Sequence, residues 1–172
     1  MKKSLQKKSR IVLESDELVV KDSTFVDREL GVLAKHDYKA GDTLFVVKGP
    51  ILPKPTKYSF SIGINQHIEP RREDGLPDFG HYTNHSCEPI AFVRAICKKN
   101  EQPFIEVVAR KNINAGEELT FDYASLEYEV TVAGKECKCK TNLCRGTIHG
   151  FKDLPQDIIE RYKKKASFQI IY

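Results

Sequence analysis

The sequence predicts a mostly β fold closed by one helix near its C-terminal end, and three observations carry that reading. Short runs of β-branched and aromatic residues recur from Ile11 to Phe121. Turn residues such as Lys39-Ala40-Gly41-Asp42-Thr43 separate them. No apolar spacing of three and four is sustained before Asp153, and that period is what distinguishes a helix from alternating strand residues.

Behind a basic tail over residues 1–10, Ile11-Val12-Leu13 and Leu18-Val19-Val20 flank the polar Glu14-Ser15-Asp16-Glu17 and read as a hairpin or two short strands. Leu30 to Ala34 precedes the Lys39–Thr43 turn, which delivers the chain into a strand from Leu44 to Val47. Gly49-Pro50-Ile51-Leu52-Pro53-Lys54-Pro55 breaks regular structure, because proline removes donors and biases the residue before it away from helix. Tyr58 to Ile62 alternates and reads as a strand, whereas Gly63 to Asp78 is polar, interrupted by Pro70, Gly75 and Pro77, and reads as a loop or short insert. Ala91–Ile96 and Phe104–Ala109 form an expected antiparallel hairpin, and Asn112 to Glu118 is a turn feeding Leu119-Thr120-Phe121. The helix is expected to begin near Asp153: Asp153 and Gln156 make a capping-box-like pair, Pro155 falls in the permitted first turn, and Ile158, Ile159 and Tyr162 share a face. Lysines at its end complement the helix dipole.

At 172 residues the chain has room for one domain with a real core and terminal extensions. Its apolar and charged fractions are those of globular proteins, and no apolar run is long enough to cross a bilayer, so no membrane partner is expected. The net charge of +4 is modest, with basic residues gathered at both ends, and these read as solvated ends. A nucleic-acid contact has only weak support, since basic and aromatic residues are not regularly interleaved. No apolar segment with a cleavage site follows the basic tail, so a cytoplasmic or nuclear location is expected. Five cysteines, three of them within eight residues, favour a shared metal over disulfides and a reducing compartment.

Three stretches carry chemistry. His81-Tyr82-Thr83-Asn84-His85-Ser86-Cys87-Glu88-Pro89 packs a thiol, imidazoles, an amide and a hydroxyl together just before an apolar run. Buried polar groups need partners, so such a cluster is arranged around a ligand or metal more readily than it is used for packing. Gly116-Glu117-Glu118-Leu119-Thr120-Phe121-Asp122-Tyr123 and Cys137-Lys138-Cys139-Lys140-Thr141-Asn142-Leu143-Cys144-Arg145-Gly146 follow in order.

Together these resemble the SET-domain protein lysine methyltransferases, whose signatures are Asn-His-Ser-Cys, Gly-Glu-Glu-Leu-Thr-Phe/Tyr-Asp-Tyr and a Cys-x-Cys-x4-Cys post-SET tail. The resemblance runs from about Gly31 to Gly146. It implies a SET-domain fold of small β-sheets around a pseudoknot-like crossing, with a SET domain over residues 11–130, a zinc-binding post-SET segment over 131–150, and the helix and tail over 151–172. It implies transfer of methyl groups from S-adenosylmethionine to a lysine of a protein or peptide, with a histone tail as a candidate substrate, and leaves oligomeric state open.

By the same resemblance, Tyr123 is the catalytic tyrosine, and Phe121 holds the position that governs how many methyl groups the amine accepts. Its missing hydroxyl implies room for di- or trimethylation, in a channel widened by Val47 where many members carry tyrosine. Gly31, Val32 and Leu33 match the cofactor-binding Gly-Val/Leu-Phe segment, Tyr58 a cofactor-contacting tyrosine, and Asn84 and His85 the cofactor-binding pair. Cys87, Cys137, Cys139 and Cys144 match the four ligands of a structural Zn2+, and tetrahedral zinc takes four. Cys97 lies in a strand pattern and reads as a buried small apolar residue. The chain departs from the family at Glu29, where a first glycine is usual, and at His81, where arginine is usual.

Two other classes compete. A non-catalytic, zinc-stabilised binding module would tolerate Glu29 and His81, but Tyr123 is intact. A zinc hydrolase using His81 and His85 has helical spacing, but Tyr82-Thr83-Asn84 and Pro89 do not sustain a helix, and Gly116 to Tyr123 would have no role.

Overall fold

A computed structural model describes residues 10–27, 29–130 and 134–164. The basic residues before Arg10 and the chain beyond Lys164 lie outside the described residues, as do the side chains of Arg161, Lys163 and Lys164, and with them the expected dipole-complementing lysines. The fold is mostly β.

Strands β1 (Leu13–Glu14), β2 (Leu18–Asp22) and β3 (Leu30–Ala34) form one antiparallel sheet in that order. Its first turn is closed by Ser15, whose Oγ accepts from the Glu17 and Leu18 N–H groups, the local bonding that favours serine at turns. Strand β4 (Thr43–Val47) leads into a second small sheet of β5 (Ile51–Leu52), β6 (Phe60–Gly63) and β7 (Gln66–Ile68), ordered β5-β7-β6. The strand expected over Tyr58 to Ile62 therefore sits two residues later at its start. The segment expected as a loop holds β7, because His67 and Ile68 are buried while the turn residues fall after them.

A four-residue helix α1 (Phe79–Tyr82), absent from the sequence expectations, begins at Asp78, whose carboxylate accepts from Gly80 N–H at 2.7 Å as an N-cap. It is followed by β8 (Asn84–His85), then β9 (Ala91–Ile96) and β10 (Phe104–Ala109), the expected hairpin, paired from Phe104 with Ile96 to Ala109 with Ala91. Strand β4 adds to the other edge of β10. Strand β11 (Thr120–Phe121) pairs with β8, the one parallel pairing among the described strands.

At the C-terminal end a short 3-10 turn over Phe151–Asp153 precedes α2 (Gln156–Lys164). The helix thus starts later than its capping signal suggested. Asp153 is spent in the preceding turn, and the Pro155 carbonyl accepts from Ile158 and Ile159. Its expected face is the one that packs: Tyr162 is buried with Leu154 and Ala124, and Ile158 and Ile159 lie against them.

The main core gathers Val20, Val32, Val47, Phe60, Ile105 and Leu119 from different sheets, and Phe121 meets Phe60 edge-on at 5.5 Å. Burying each such side chain is worth about 1.5–3 kcal/mol. The short β8–β11 pair, unsupported by length, is therefore held from below by packing.

Candidate active site and cysteine cluster

Because β8 and β11 run parallel, Asn84 lies beside Thr120 and His85 beside Phe121, which brings the first two motifs together. Asn84 is buried, and its Nδ2 donates to the Leu30 carbonyl at 2.9 Å and to the Glu118 carboxylate at 2.8 Å. Both amide hydrogens point inward, leaving the amide oxygen for the cleft that Asn84 lines. Glu118, itself buried, also accepts from the Ser23 hydroxyl at 3.0 Å, the Thr24 N–H at 2.6 Å and the Thr24 hydroxyl at 2.7 Å. That carboxylate fills the space a side chain at residue 31 would need: a Cβ on Gly31 would stand 2.2 Å from Glu118 Oε1.

Tyr123 is held at both ends. Its N–H donates to His85 Nδ1 at 3.2 Å, which leaves the imidazole hydrogen on Nε2, 3.4 Å from Cys87 Sγ. Burial lowers the His85 pKa to about 4, only partly offset by Asp122, so the ring is neutral at pH 7. The Tyr123 hydroxyl donates to the Thr83 carbonyl at 3.2 Å. Burial, with Glu29 and Tyr58 nearby, pushes the phenol above its ordinary range, so it stays protonated and able to donate.

Two spaces meet at this tyrosine. One is a narrow channel of about 30 Å³ lined by Phe121, Thr83, Leu126 and Glu127; the other is a wide cleft of about 620 Å³ lined by Glu29, Leu30, Asn84 and His85. Tyr58, His81 and Tyr123 line both. The Tyr58 and His81 rings stack with centroids 3.6 Å apart, and His81 Nδ1 is buried without a hydrogen-bond partner among the described residues. Burial lowers the His81 pKa.

Of the residues expected from sequence, Tyr58, Asn84, His85 and Tyr123 come together at the cleft, and Phe121 lines the channel. Gly31, Val32 and Leu33 line neither space. Val32 and Leu33 are buried within β3, and the cleft wall here is made by Glu29 and Leu30. Val47 is core packing and lines neither space.

Cys87, Cys137, Cys139 and Cys144 converge, with all four sulfurs within 4.8 Å of one another and Cys87 and Cys137 at 3.7 Å. A Zn–S bond of about 2.3 Å in a tetrahedron separates sulfurs by about 3.8 Å, so this set fits a four-thiolate metal with little adjustment. Main-chain N–H groups of Arg145 and Gly146 donate to the Cys87 and Cys144 sulfurs, both at 3.4 Å. Burial pushes the Cys87 thiol up to about 11 and raises Cys137 as well. At Cys139 burial also acts upward, but hydrogen bonds led by the Thr141 hydroxyl outweigh it and bring the thiol to about 6. A dication would remove this conflict by ionising all four. Cys97 is exposed, contrary to its expected burial.

Sequence reasoning missed the clamp between these two centres. Arg145 donates to both oxygens of Asp122, at 2.7 and 2.8 Å, and the Tyr162 hydroxyl donates to the same carboxylate from α2. Burial alone would lower the guanidinium's pKa, but Asp122 outweighs it and raises the value. A closed ring results: Cys87 to His85, His85 to Tyr123, Tyr123 to Asp122 along the chain, Asp122 to Arg145, and Arg145 back to Cys87. The only sequence hint was the position of Arg145 directly after the last cysteine. The paired-histidine alternative finds no support: His81 ends up stacked on Tyr58 in α1, and His85, in β8, has both nitrogens engaged.

The family model described as SET domain matches residues 6–124. Histone-lysine N-methyltransferase TRX1 of Oryza sativa subsp. japonica is 28% identical over 155 residues, 81% of this chain but 14% of that protein. Histone-lysine N-methyltransferase SUV39H2 of Mus musculus is 36% identical over 84 residues, 40% of this chain and 18% of that protein. The chain thus spans less than a fifth of either relative. Among solved structures, KRYPTONITE in complex with mCHG DNA and SAH superposes with a TM-score of 0.61 at 24% identity, covering 77% of this chain and 29% of that one.

Proposed function

The chain belongs to the SET-domain family, and on that premise we propose that it is an S-adenosylmethionine-dependent protein lysine N-methyltransferase. The observation that carries the reading is the Tyr123 hydroxyl, a protonated donor at the junction of a narrow channel and a wide cleft. A lysine side chain suits the first space and a nucleoside-bearing cofactor the second. The cleft's groups fit such a cofactor: Asn84 keeps a spare amide oxygen for a donor, and the Glu29 carboxylate on the wall favours a cation. The SAH in the KRYPTONITE complex is consistent with this assignment.

S-adenosylmethionine, when bound, supplies an electrophilic methyl group on a sulfonium sulfur. The protein's task is then alignment and exclusion of water. Asn84, His85 and Tyr58 would hold the cofactor from the cleft side, against the wall of Glu29 and Leu30 that β3, with Gly31, Val32 and Leu33, supports from behind. Phe121 and Tyr123 would flank the incoming amine, whose proton must leave at a cost of roughly 4–5 kcal/mol at pH 7. Phe121 offers no hydroxyl to hold a water or crowd the nitrogen, which supports room for more than one methyl group.

The substrate we infer is a lysine-bearing protein segment, with a histone tail as first candidate because the relatives named above are histone-lysine methyltransferases. A nuclear location follows from the same reading. We assign Zn2+ to Cys87, Cys137, Cys139 and Cys144 as a closed structural site, and keep the division into a domain over residues 11–130, a metal segment over 131–150 and a helical end over 151–172.

The test is methyl transfer from labelled S-adenosylmethionine to a mixed histone and cell-extract panel, read by intact mass after zinc content is measured. Transfer by the wild type that is lost in Tyr123→Phe is the expected result. No transfer to any protein from folded, zinc-loaded chain would overturn it in favour of a binding module.

A further inference from the structure

Among the described residues Lys57 is the one lysine lining the narrow channel, and it lines the wide cleft too. Its ammonium is held there: Nζ donates to the Tyr58 hydroxyl at 3.1 Å and sits 4.9 Å from the centre of the Tyr58 ring. Tyr58 is in turn fixed by its stack on His81, and both rings border Tyr123 across the junction. Lys57 is thus a solvent-exposed side chain on the rim where the two spaces meet, and among the described residues its ammonium has the Tyr58 phenol and ring as partners and no carboxylate in hydrogen-bonding reach. A cation on an aromatic face is attracted by the ring quadrupole, and methylated ammonium groups, which keep their charge and gain apolar bulk, suit such a face well.

We propose that Lys57 is itself a methyl acceptor, modified within the same molecule. This rests on the methyltransferase reading above. In the step, the Lys57 ammonium first loses a proton to solvent. The Nζ lone pair then forms an N–CH3 bond as the S–CH3 bond of the sulfonium donor breaks, and the donor leaves as its neutral thioether. Tethering substitutes for peptide binding: a nucleophile already beside the reacting centre gains the effective concentration that a free peptide has to supply by affinity.

Two measurements test this on the whole, zinc-loaded chain. In the first, the protein is incubated with methyl-labelled S-adenosylmethionine and no other substrate, across a dilution series, and mapped by peptide mass spectrometry. Label at Lys57, at a rate independent of protein concentration and lost in Lys57→Arg and in Tyr123→Phe, is expected. Label confined to other lysines, or a rate that rises with protein concentration, overturns self-modification in cis. In the second, lysines are acetylated chemically with and without the thioether product SAH. Several-fold protection of Lys57 by SAH is expected without any turnover, and unchanged labelling overturns its placement at the cleft. If Lys57 stays unmodified while the histone panel is labelled, this inference alone fails; if neither is labelled, the methyltransferase reading fails with it.

Discussion

Tyr123 gains its orientation from two hydrogen bonds that act on different atoms, one from its main-chain N–H to His85 and one from its hydroxyl to Thr83. Replacing it by phenylalanine keeps the first and the packing on Phe121 while removing the second. Transfer should therefore fall by about 10²–10³, the loss usual for one preorganised donor, with cofactor affinity by calorimetry changed little. Asp78 supplies a pH prediction. Burial chiefly raises its pKa from an ordinary 3.8 to about 6, against the lowering effect of the bond from Gly80 N–H. The folded state therefore holds the proton more tightly than the unfolded chain, and this stabilisation, complete below about pH 4, is lost as pH rises through about 6. Asn also caps helices, so Asp78→Asn should gain on the wild type by roughly 2–3 kcal/mol between pH 4 and pH 7, measured by urea unfolding at each pH. A flat difference across that range would contradict the burial argument.

Among the elements, β3 and the segment after Cys144 depend on single residues. Gly31→Ala sets a methyl group against Glu118, so either the carboxylate leaves Asn84 and Thr24 or β3 shifts. A loss of about 1–3 kcal/mol in thermal unfolding, with weaker cofactor binding, is expected. Arg145→Met removes both guanidinium bonds to a buried carboxylate and should destabilise by about 3–5 kcal/mol, while zinc content, set by four untouched thiols, holds. The two motifs on β8 and β11 were legible because each is chemically dense, but their parallel pairing was not, since two-residue strands display no period; the β9–β10 hairpin was legible because its runs are long. The strand at Gln66–Ile68 was not, since three residues are too few to display a period. Nor was the Asp122–Arg145–Tyr162 clamp, which joins three distant stretches through side chains that follow no spacing rule. Glu118 lay in plain view within its motif but read as a turn residue, because nothing local discloses that Asn84, Ser23 and Thr24 converge on it.

In the whole molecule the proposed metal segment packs apart from the main core: the main cluster gathers residues from Leu18 to Leu126, and the four cysteines form a separate one. Chelation should abolish transfer and raise hydrogen exchange over residues 134–150 and in α2, with β9 and β10 still protected. Uniform loss of protection would mean that the metal holds the entire fold. The parallel pairing of β8 with β11 also dictates the order in which this protein can be made. A nascent chain that has emerged only as far as the β9–β10 hairpin already carries Asn84 and His85, but they have no neighbouring strand until Thr120 and Phe121 leave the ribosome. The cleft is therefore born late and nearly all at once, and a chain released before that point would expose its most polar buried stretch to the cell's quality-control machinery.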